Sequence, residues 1–207
     1  RGPRFRLSAE QIRDQALAVS GLLSSKMYGP GVMPHQPEGV WMTVYSGEAW
    51  TKSTGEDQYR RGIYTFLKRT SPYPSFISFD ASSREVCLVD RIRTNTPLQA
   101  LTTLNDPVYL EAAKALADQM EKDAKGNIRQ LVSSGYRRTM FKDPAEDKLI
   151  ALEKLYHQAL NNFKSHPEAA TKFLSIAPAG NKNQQQIAAK AASTVVANAL
   201  LNLDEFL

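Results

Sequence analysis

Basic side chains surround an aromatic run between residues 59 and 70, and these residue types are the ones in the chain best suited to ligand chemistry. No acidic residue lies within 59–70, and the run contains Tyr64 and Phe66. The four cations, called the basic cluster below, are Arg60, Arg61, Lys68 and Arg69. Guanidinium groups hold carboxylate, sulfate or phosphate through paired hydrogen bonds. The pattern predicts an anion site, and the alternative is pairing with acids of the same chain, such as Asp80.

Further polar and aromatic side chains complete the predicted site. They are His35, Trp41, Asp80, Asn95 and Gln99. Trp41 would stack on the ligand, the two amides would shape the floor, and His35 lies in a Gly/Pro-rich loop of the kind that often carries function. The alternatives are that Trp41 belongs to a small core within the loop, and that the amides satisfy backbone groups. An unpaired buried amide costs about 1–3 kcal/mol, which favours the second alternative.

Known catalytic and metal-binding patterns are absent from the sequence. The three histidines form no His-x-x-x-His or His-Glu-x-x-His pattern, and no glycine-rich phosphate loop occurs. Cys87 is the single cysteine, which excludes an intrachain disulfide and any Cys-x-x-Cys metal or haem motif. We expect no metal and no cofactor in this chain, and we predict that Cys87, within a short apolar run, is a buried structural thiol.

The composition describes a folded, mildly basic chain. Of 207 residues 42% are hydrophobic, and the formal net charge is +5. The positive excess lies in residues 1–94, which hold 13 basic and 9 acidic residues. This excess is too small to indicate nucleic acid, so we expect no nucleic-acid partner. No apolar run approaches the roughly 18–20 residues that a membrane helix needs, so we expect no direct insertion into a membrane.

Helix signals dominate the sequence outside one irregular block. Ser8 and Gln11 form a capping box, Pro97 and Pro107 suit the first helical position, and Asp143 begins another capping box. The predicted helices begin near Ser8 and after Asp143, and cover 97–104, 107–124, 127–140, 167–176 and 184–205.

The predicted fold is therefore mainly α. It is a single domain over 1–207 that belongs to a larger protein, in which a helical part (95–207) supports a long, ordered, irregular block at about 27–94. The β-prone run 63–67 indicates a short strand or a helical turn, so the block has room for one or two short strands. Loops of this length are uncommon in compact domains unless they are functional or locally folded.

Five long motifs resemble a known family. They read "RFRLSAEQIRDQALAVSGLL", "GPGVMPHQPEGVW", "YRRGIYTFLKRTSPYPSFISFDASSREVC", "RIRTNTPLQALTTLNDPVYLEAAKALA" and the terminal "LLNLDEFL". The chain resembles the family of the domain of unknown function fifteen-fifty-three, also called the planctomycete PSD-one domain. The similarity is strongest over residues 4–120.

The resemblance implies a cellular context. Family members are usually the C-terminal part of large exported proteins, periplasmic or at the cell surface, with a c-type cytochrome domain upstream that would hold the haem. They occur mainly in planctomycetes, bacteria rich in polysaccharide and sulfatase genes. The implied partners are the upstream domains of the same polypeptide and an anionic polysaccharide.

Three functional hypotheses follow from the residues and the resemblance together. The leading one is a non-haem module for ligand binding or domain assembly, acting on sulfated or uronic polysaccharide. The second is an enzyme domain, or half of an active site completed by the upstream domain, in which Arg61, Asp80, Arg84 and Glu85 are catalytic. The third is a docking surface for the cytochrome domain.

Overall fold

Eight α-helices and two short 3-10 turns make up the part of the chain that the computed structural model describes, which is residues 6–36, 49–175 and 184–207. The α-helices are α1 (Ala9–Ser20), α2 (Pro74–Ser78), α3 (Pro97–Asn105), α4 (Pro107–Ala124), α5 (Ile128–Met140), α6 (Glu146–Ser165), α7 (Pro167–Leu174) and α8 (Gln184–Leu201). The 3-10 turns are Gly55–Tyr59 and Gly62–Tyr64. No sheet forms within these ranges, so the prediction of a mainly α fold is confirmed.

The helix starts follow the capping signals of the sequence. The Gln11 side chain accepts a hydrogen bond from the Ser8 N–H at 3.0 Å, which completes the capping box of α1. Thr96 and Gln99 form a second capping box, at α3, with Pro97 in the first turn. At α4 the Asp106 carboxylate accepts from the Val108 N–H at 2.9 Å. Each cap satisfies amide groups that a helix start leaves without partners.

Two predicted helix boundaries are wrong. Helix α6 begins at Glu146 with Ala145 as its N-cap, because the Asp143 carboxylate pairs with Arg137 and does not cap. Helix α8 ends at Leu201 and not at residue 205. The chain then turns, with the Phe206 N–H donating to the Leu203 carbonyl at 2.8 Å, and this turn buries the Phe206 side chain.

The described residues fall into two compact units. The first comprises Arg1–Ala112 with Leu207, and the second Ala113–Phe206, so α4 contributes to both. The prediction of a single domain over 1–207 stays a prediction.

In the first unit, α1 packs against α2 and against the turn Gly62–Tyr64. The buried hydrophobic side chains there include Ile12, Leu17, Phe76 and Phe79. In the second unit α8 packs against α5, α6 and α7, and alanines and leucines fill the space between them. No described helix is both long enough and apolar enough to span a membrane.

Long-range pairing orders the described part of the irregular block. The Val32 N–H donates to the Tyr64 carbonyl and the Phe66 N–H to the Val32 carbonyl, both at 2.8 Å. These bonds form an isolated parallel bridge between Val32 and Thr65, so the β-prone run is a helical turn followed by one bridged residue. Trp50 stacks on Tyr73 with 5.9 Å between ring centroids.

Candidate ligand-binding site

Arg60 of the basic cluster is buried, with 1% of its surface exposed. Its guanidinium lies over the Tyr64 ring, 3.9 Å from the centroid, and donates to the carbonyls of Tyr28 and Pro30, the latter at 3.1 Å. The prediction that Arg60 holds an external anion is therefore wrong. The sequence shows a cluster of four cations, but it does not reveal that Arg60 is buried and supports the irregular block from inside.

The other members of the basic cluster lie nearer the solvent. The Arg61 side chain is about half exposed, and its Nε lies 3.7 Å from an Asp14 carboxylate oxygen. Lys68 is half-buried and Arg69 is exposed. Pairing with the chain's own acids, the alternative raised by the sequence, therefore accounts for part of Arg61. Whether these three cations bind a ligand stays a prediction.

Asp80 is the centre of a hydrogen-bonded cluster that joins α2 to α3. Its carboxylate accepts from Arg6 Nη2 at 2.6 Å, from the Thr94 N–H at 2.8 Å and from Thr94 Oγ1 at 2.9 Å. Gln99 Nε2 lies 3.4 Å from the same carboxylate. Burial raises the pKa of Asp80, but the hydrogen bonds from Arg6 and Thr94 outweigh it, so the pKa lies below its usual value. Asp80 is ionised, and its carboxylate is held by Arg6 and Thr94.

The structure thus brings together two of the predicted site residues, Asp80 and Gln99. Asn95 is exposed beside them. His35 is half-buried elsewhere in the first unit, where its backbone carbonyl accepts from the Tyr73 hydroxyl at 2.6 Å. Trp41 lies outside the described residues. The sequence does not predict Arg6 and Thr94 as site residues, because neither belongs to a chemical motif. The two residues lie 88 positions apart, and no periodic pattern connects them.

An arginine-lined groove of about 480 Å³ lies next to this cluster in the first unit. The start of α1, Asp80 and the segment 82–93 form its walls. Its charged lining residues are Arg6, Arg84, Arg91, Arg93, Asp80 and Asp90. The lining therefore holds four guanidinium groups and two carboxylates, and the Glu10 carboxylate that pairs with Arg91 reduces the positive excess from two to one. The groove carries a net positive charge.

The Arg91 side chain of the groove has an acidic partner on α1, and the backbone of Arg84 lies in a hydrogen-bonded turn. Arg91 Nη1 donates to Glu10 of α1 at 2.7 Å. Burial raises the pKa of Glu10, but this bond and the Arg91 charge outweigh it and lower the pKa overall. Arg84 sits in a left-handed conformation at φ +59°, in a turn where its N–H donates to Ser82 Oγ at 3.1 Å.

The apolar residues of the same segment are also exposed. They are Val86, Leu88, Val89 and Ile92, and Cys87 among them is exposed as well. The prediction of a buried thiol is wrong, because the short apolar run 86–89 does not enter the core. The hypothesis of a docked cytochrome domain requires an exposed apolar surface, and these side chains form one, while the partner itself stays a prediction.

A second group of titratable side chains is buried in the first unit and was not predicted. Arg13, with 1% of its surface exposed, donates to the carbonyls of Arg60 and Gln58, each at 2.7 Å. Burial raises the pKa of Tyr73 to about 12, and it also raises the pKa values of Asp106 and Tyr109. Arg13 Nε and Tyr109 Oη are buried without a hydrogen-bond partner. Such clustered, perturbed groups are frequent at functional sites.

Metal ligation finds little support in this arrangement. Among the described residues no three His, Cys, Asp or Glu side chains are grouped to hold a metal ion. The Asp80 carboxylate, next to the groove, is occupied by Arg6 and Thr94.

Fold and groove together define a mainly helical chain with an arginine-lined groove in its first unit. Residues 1–156 match the family described as "Protein of unknown function (DUF1553)", PSD1, and the chain belongs to that family. The match confirms the resemblance stated from the sequence motifs. No curated protein and no solved structure matches the chain.

Proposed function

We propose that this chain is a non-haem, ligand-binding module of a larger exported protein and that it binds anionic polysaccharide in the arginine-lined groove. The observation that carries the proposal is the groove's excess of guanidinium groups, since four arginines line it against Asp80, Asp90 and the Glu10 carboxylate that holds Arg91. Sulfate and carboxylate groups suit guanidinium in both charge and geometry. The exported context and the upstream domains as partners rest on the family resemblance.

An open groove suits a chain-like ligand better than a small molecule. Small-molecule sites are mostly apolar and bury most of their ligand. Here charged or polar residues make up eight of the fourteen lining residues, and Arg84, Asp90 and Arg93 are exposed. A polysaccharide can lie along such a surface and place a charged group at each arginine.

Binding of sulfated and uronic polysaccharides at two salt concentrations tests the proposal. We expect affinity for the wild-type chain to fall at the higher salt concentration, because exposed charges are screened. In the double variant Arg84→Ala/Arg93→Ala we expect affinity to fall by about tenfold, which corresponds to roughly 1.4 kcal/mol. Both side chains are exposed, so the variant should fold normally.

The matched control is Arg69→Ala, which removes an exposed arginine of the basic cluster outside the groove. We expect its affinity to stay within about twofold of the wild type, since one exposed charge contributes roughly 0–1 kcal/mol. An equal loss of affinity in Arg69→Ala would instead place the binding site at the basic cluster. Failure of the wild type to bind any anionic polysaccharide would refute the proposal.

A second candidate function is half of an enzyme active site, favoured by the buried titratable side chains. Arg13 and Tyr109 hold polar atoms without partners, and burial keeps the pKa of Asp106 above its usual value. A carboxyl whose pKa is raised keeps its proton to a higher pH and can act as a general acid. This candidate predicts that the full-length protein releases sulfate or new reducing ends from the polysaccharide, and that Asp106→Asn and Tyr109→Phe abolish the release. Unchanged polysaccharide would exclude it.

A further inference from the structure

Tyr28 presents a tyrosine ring to solvent from a backbone conformation that tyrosine rarely adopts. Its surface is 81% exposed and its φ is +63°. Left-handed backbone is uncommon outside glycine, and for a bulky residue it is an outlier. Of the five other described non-glycine residues of this kind, Lys125, Phe141 and Ser175 directly follow helices, where a left-handed residue is an ordinary helix end, while Asp80 and Arg84 do not. No helix end accounts for Tyr28.

Two side chains hold the backbone of Tyr28 in this conformation. Its N–H donates to the Tyr64 hydroxyl at 2.8 Å, and its carbonyl accepts from the Arg60 guanidinium. The same guanidinium stacks on the Tyr64 ring, so both holding groups belong to one unit. The buried arginine of the basic cluster therefore serves to fix Tyr28. Strained residues persist where the surroundings over-determine them, and they concentrate at functional sites.

We propose that Tyr28 is a stacking platform for one sugar ring of the bound polysaccharide. The proposal rests on the polysaccharide function proposed above. It adds a subsite that binds a sugar ring by stacking and not through a charged group. The C–H groups on the flat face of a pyranose carry partial positive charge, and the face of an aromatic ring carries partial negative charge, so the two faces attract. A ring fixed at its backbone loses less conformational freedom on binding than one on a loose loop.

The sequence next to Tyr28 supplies a polar group. Lys26, two residues before it, is exposed and pairs with Asp57 at 2.8 Å. An ammonium group can hydrogen-bond the hydroxyls of a sugar.

The exposed area also fits a single sugar ring. A tyrosine offers roughly 150–250 Å². A stable protein interface buries about 800 Å² on each partner, so this surface is small for a protein partner.

The test measures binding of one polysaccharide, in sulfated and desulfated forms, to the wild type and to three variants at exposed aromatic residues. Tyr28→Ala should weaken binding of both forms by about three- to tenfold, as expected for lost stacking. The salt dependence should stay unchanged, because no charge is removed. Tyr28→Phe keeps the ring and should bind within about twofold of the wild type. Phe141→Ala is the matched control, since Phe141 is an 84% exposed aromatic residue at φ +54° in the second unit.

A fourth variant, Tyr28→Gly, separates the effect of backbone strain from the effect on binding. Tyr28→Gly relieves the left-handed backbone without removing a buried contact, so its unfolding midpoint should rise while its affinity falls as in Tyr28→Ala. A Tyr28→Gly or Tyr28→Ala chain that binds like the wild type would overturn the platform. An equal loss in Phe141→Ala would also overturn it, because exposed aromatics would then act without specificity.

The outcomes distinguish this inference from the proposed function. Binding of the sulfated form that depends on Arg84 and Arg93 but not on Tyr28 supports the groove and rejects the platform. Equal binding of both forms that depends on Tyr28 alone supports the platform and rejects the preference for anions. Failure of both forms to bind rejects both.

Discussion

At the scale of single residues, three arginines of the first unit donate hydrogen bonds to backbone carbonyls of irregular segments. Arg60 donates to the carbonyls of Tyr28 and Pro30, and Arg13 to those of Gln58 and Arg60. Arg6 donates to the carbonyl of Thr94 besides its pairing with the Asp80 carboxylate. Buried carbonyls in an irregular segment have no ladder or helix partner and must be satisfied otherwise. A guanidinium, with five N–H donors, can serve several of them at once.

Arg60→Ala should therefore destabilise the protein even though Arg60 touches no ligand. The substitution removes the donor to the Tyr28 and Pro30 carbonyls and the buried packing of the guanidinium on the Tyr64 ring, so we expect a loss of about 1–3 kcal/mol in the free energy of unfolding. Urea unfolding measures the loss. Arg69→Ala, at an exposed position, should change the free energy of unfolding by less than about 0.5 kcal/mol. Equal stability of the two variants would mean that Arg60 is not structural.

An alkaline titration of the tyrosines should distinguish the phenol groups of Tyr59 and Tyr73 from exposed ones. Burial and the hydrogen bond to Glu111 raise the pKa of Tyr59 to about 12, and burial raises the pKa of Tyr73 to about 12. An alkaline absorbance titration should therefore show a late step near pH 12, which shrinks in Tyr59→Phe and in Tyr73→Phe.

The direction of the stability change follows from these pKa values. The folded state keeps phenolic protons that the unfolded state loses above pH 10, so stability should fall as the pH rises beyond 10. Ionisation of all tyrosines in one step near pH 10 would contradict the burial of Tyr59 and Tyr73.

At the scale of elements, α1 organises the first unit. Glu10 holds Arg91 of the groove, and Asp14 accepts from the Gly62 N–H at 2.6 Å. Gly62 lies so close to α1 that a Cβ built there would stand 3.0 Å from both Cα and Cβ of Glu10. The turn Gly62–Tyr64 supplies the Tyr64 hydroxyl that holds the backbone of Tyr28. Its position against α1 depends on the close approach of Gly62 to Glu10.

Gly62→Ala should separate this turn from α1. The added methyl group meets backbone atoms of Glu10, which cannot rotate away, so we expect a loss of about 1–3 kcal/mol in the free energy of unfolding. Ile63→Ala is the neighbouring control, because Ile63 is 73% exposed and should lose less than about 0.5 kcal/mol. A stable Gly62→Ala chain would show that the turn can move.

The Asp80 cluster that links α2 to α3 should make stability depend on acidity. Because the folded state lowers the pKa of Asp80, its stabilisation is present above the unfolded value of 3.8 and is lost as the pH falls through the lower folded value. Asp80→Asn should cost about 1–3 kcal/mol at neutral pH and progressively less below pH 3.8. Unfolding of both chains across this range measures the difference, with Asp90→Asn as an exposed control. A difference that does not change with pH would contradict the assignment.

The helices could be predicted from the sequence because their signals are local. Ser8 with Gln11, and Thr96 with Gln99, carry the caps within four residues. The pairing of Arg6 with Asp80 and the burial of Arg60 could not be predicted, since they join residues up to 74 positions apart and leave no periodic pattern. Asp80 and Gln99 were predicted as site residues by type alone, and their shared cluster depends on that distant arginine.

At the scale of the whole molecule, positive charge and candidate binding surfaces share one region of the chain. Residues 1–94 carry most of the net positive charge, and both the groove and Tyr28 belong to this part. The family match also covers it, extending over residues 1–156. An excess of one charge on a surface raises the local concentration of oppositely charged ligands and speeds their binding. The first unit is therefore where an anionic polysaccharide should bind.

The most direct test of this account is an NMR titration of the arginine side-chain N–H signals with a sulfated oligosaccharide. We predict that the signals of the groove arginines Arg84, Arg91 and Arg93 shift in proportion to binding, while those of Arg137 and Arg138, paired with Asp143 and Asp123 in the second unit, stay in place. Shifts confined to Arg61 and Arg69, or an absence of shifts at saturating oligosaccharide, would contradict the groove as the anion site.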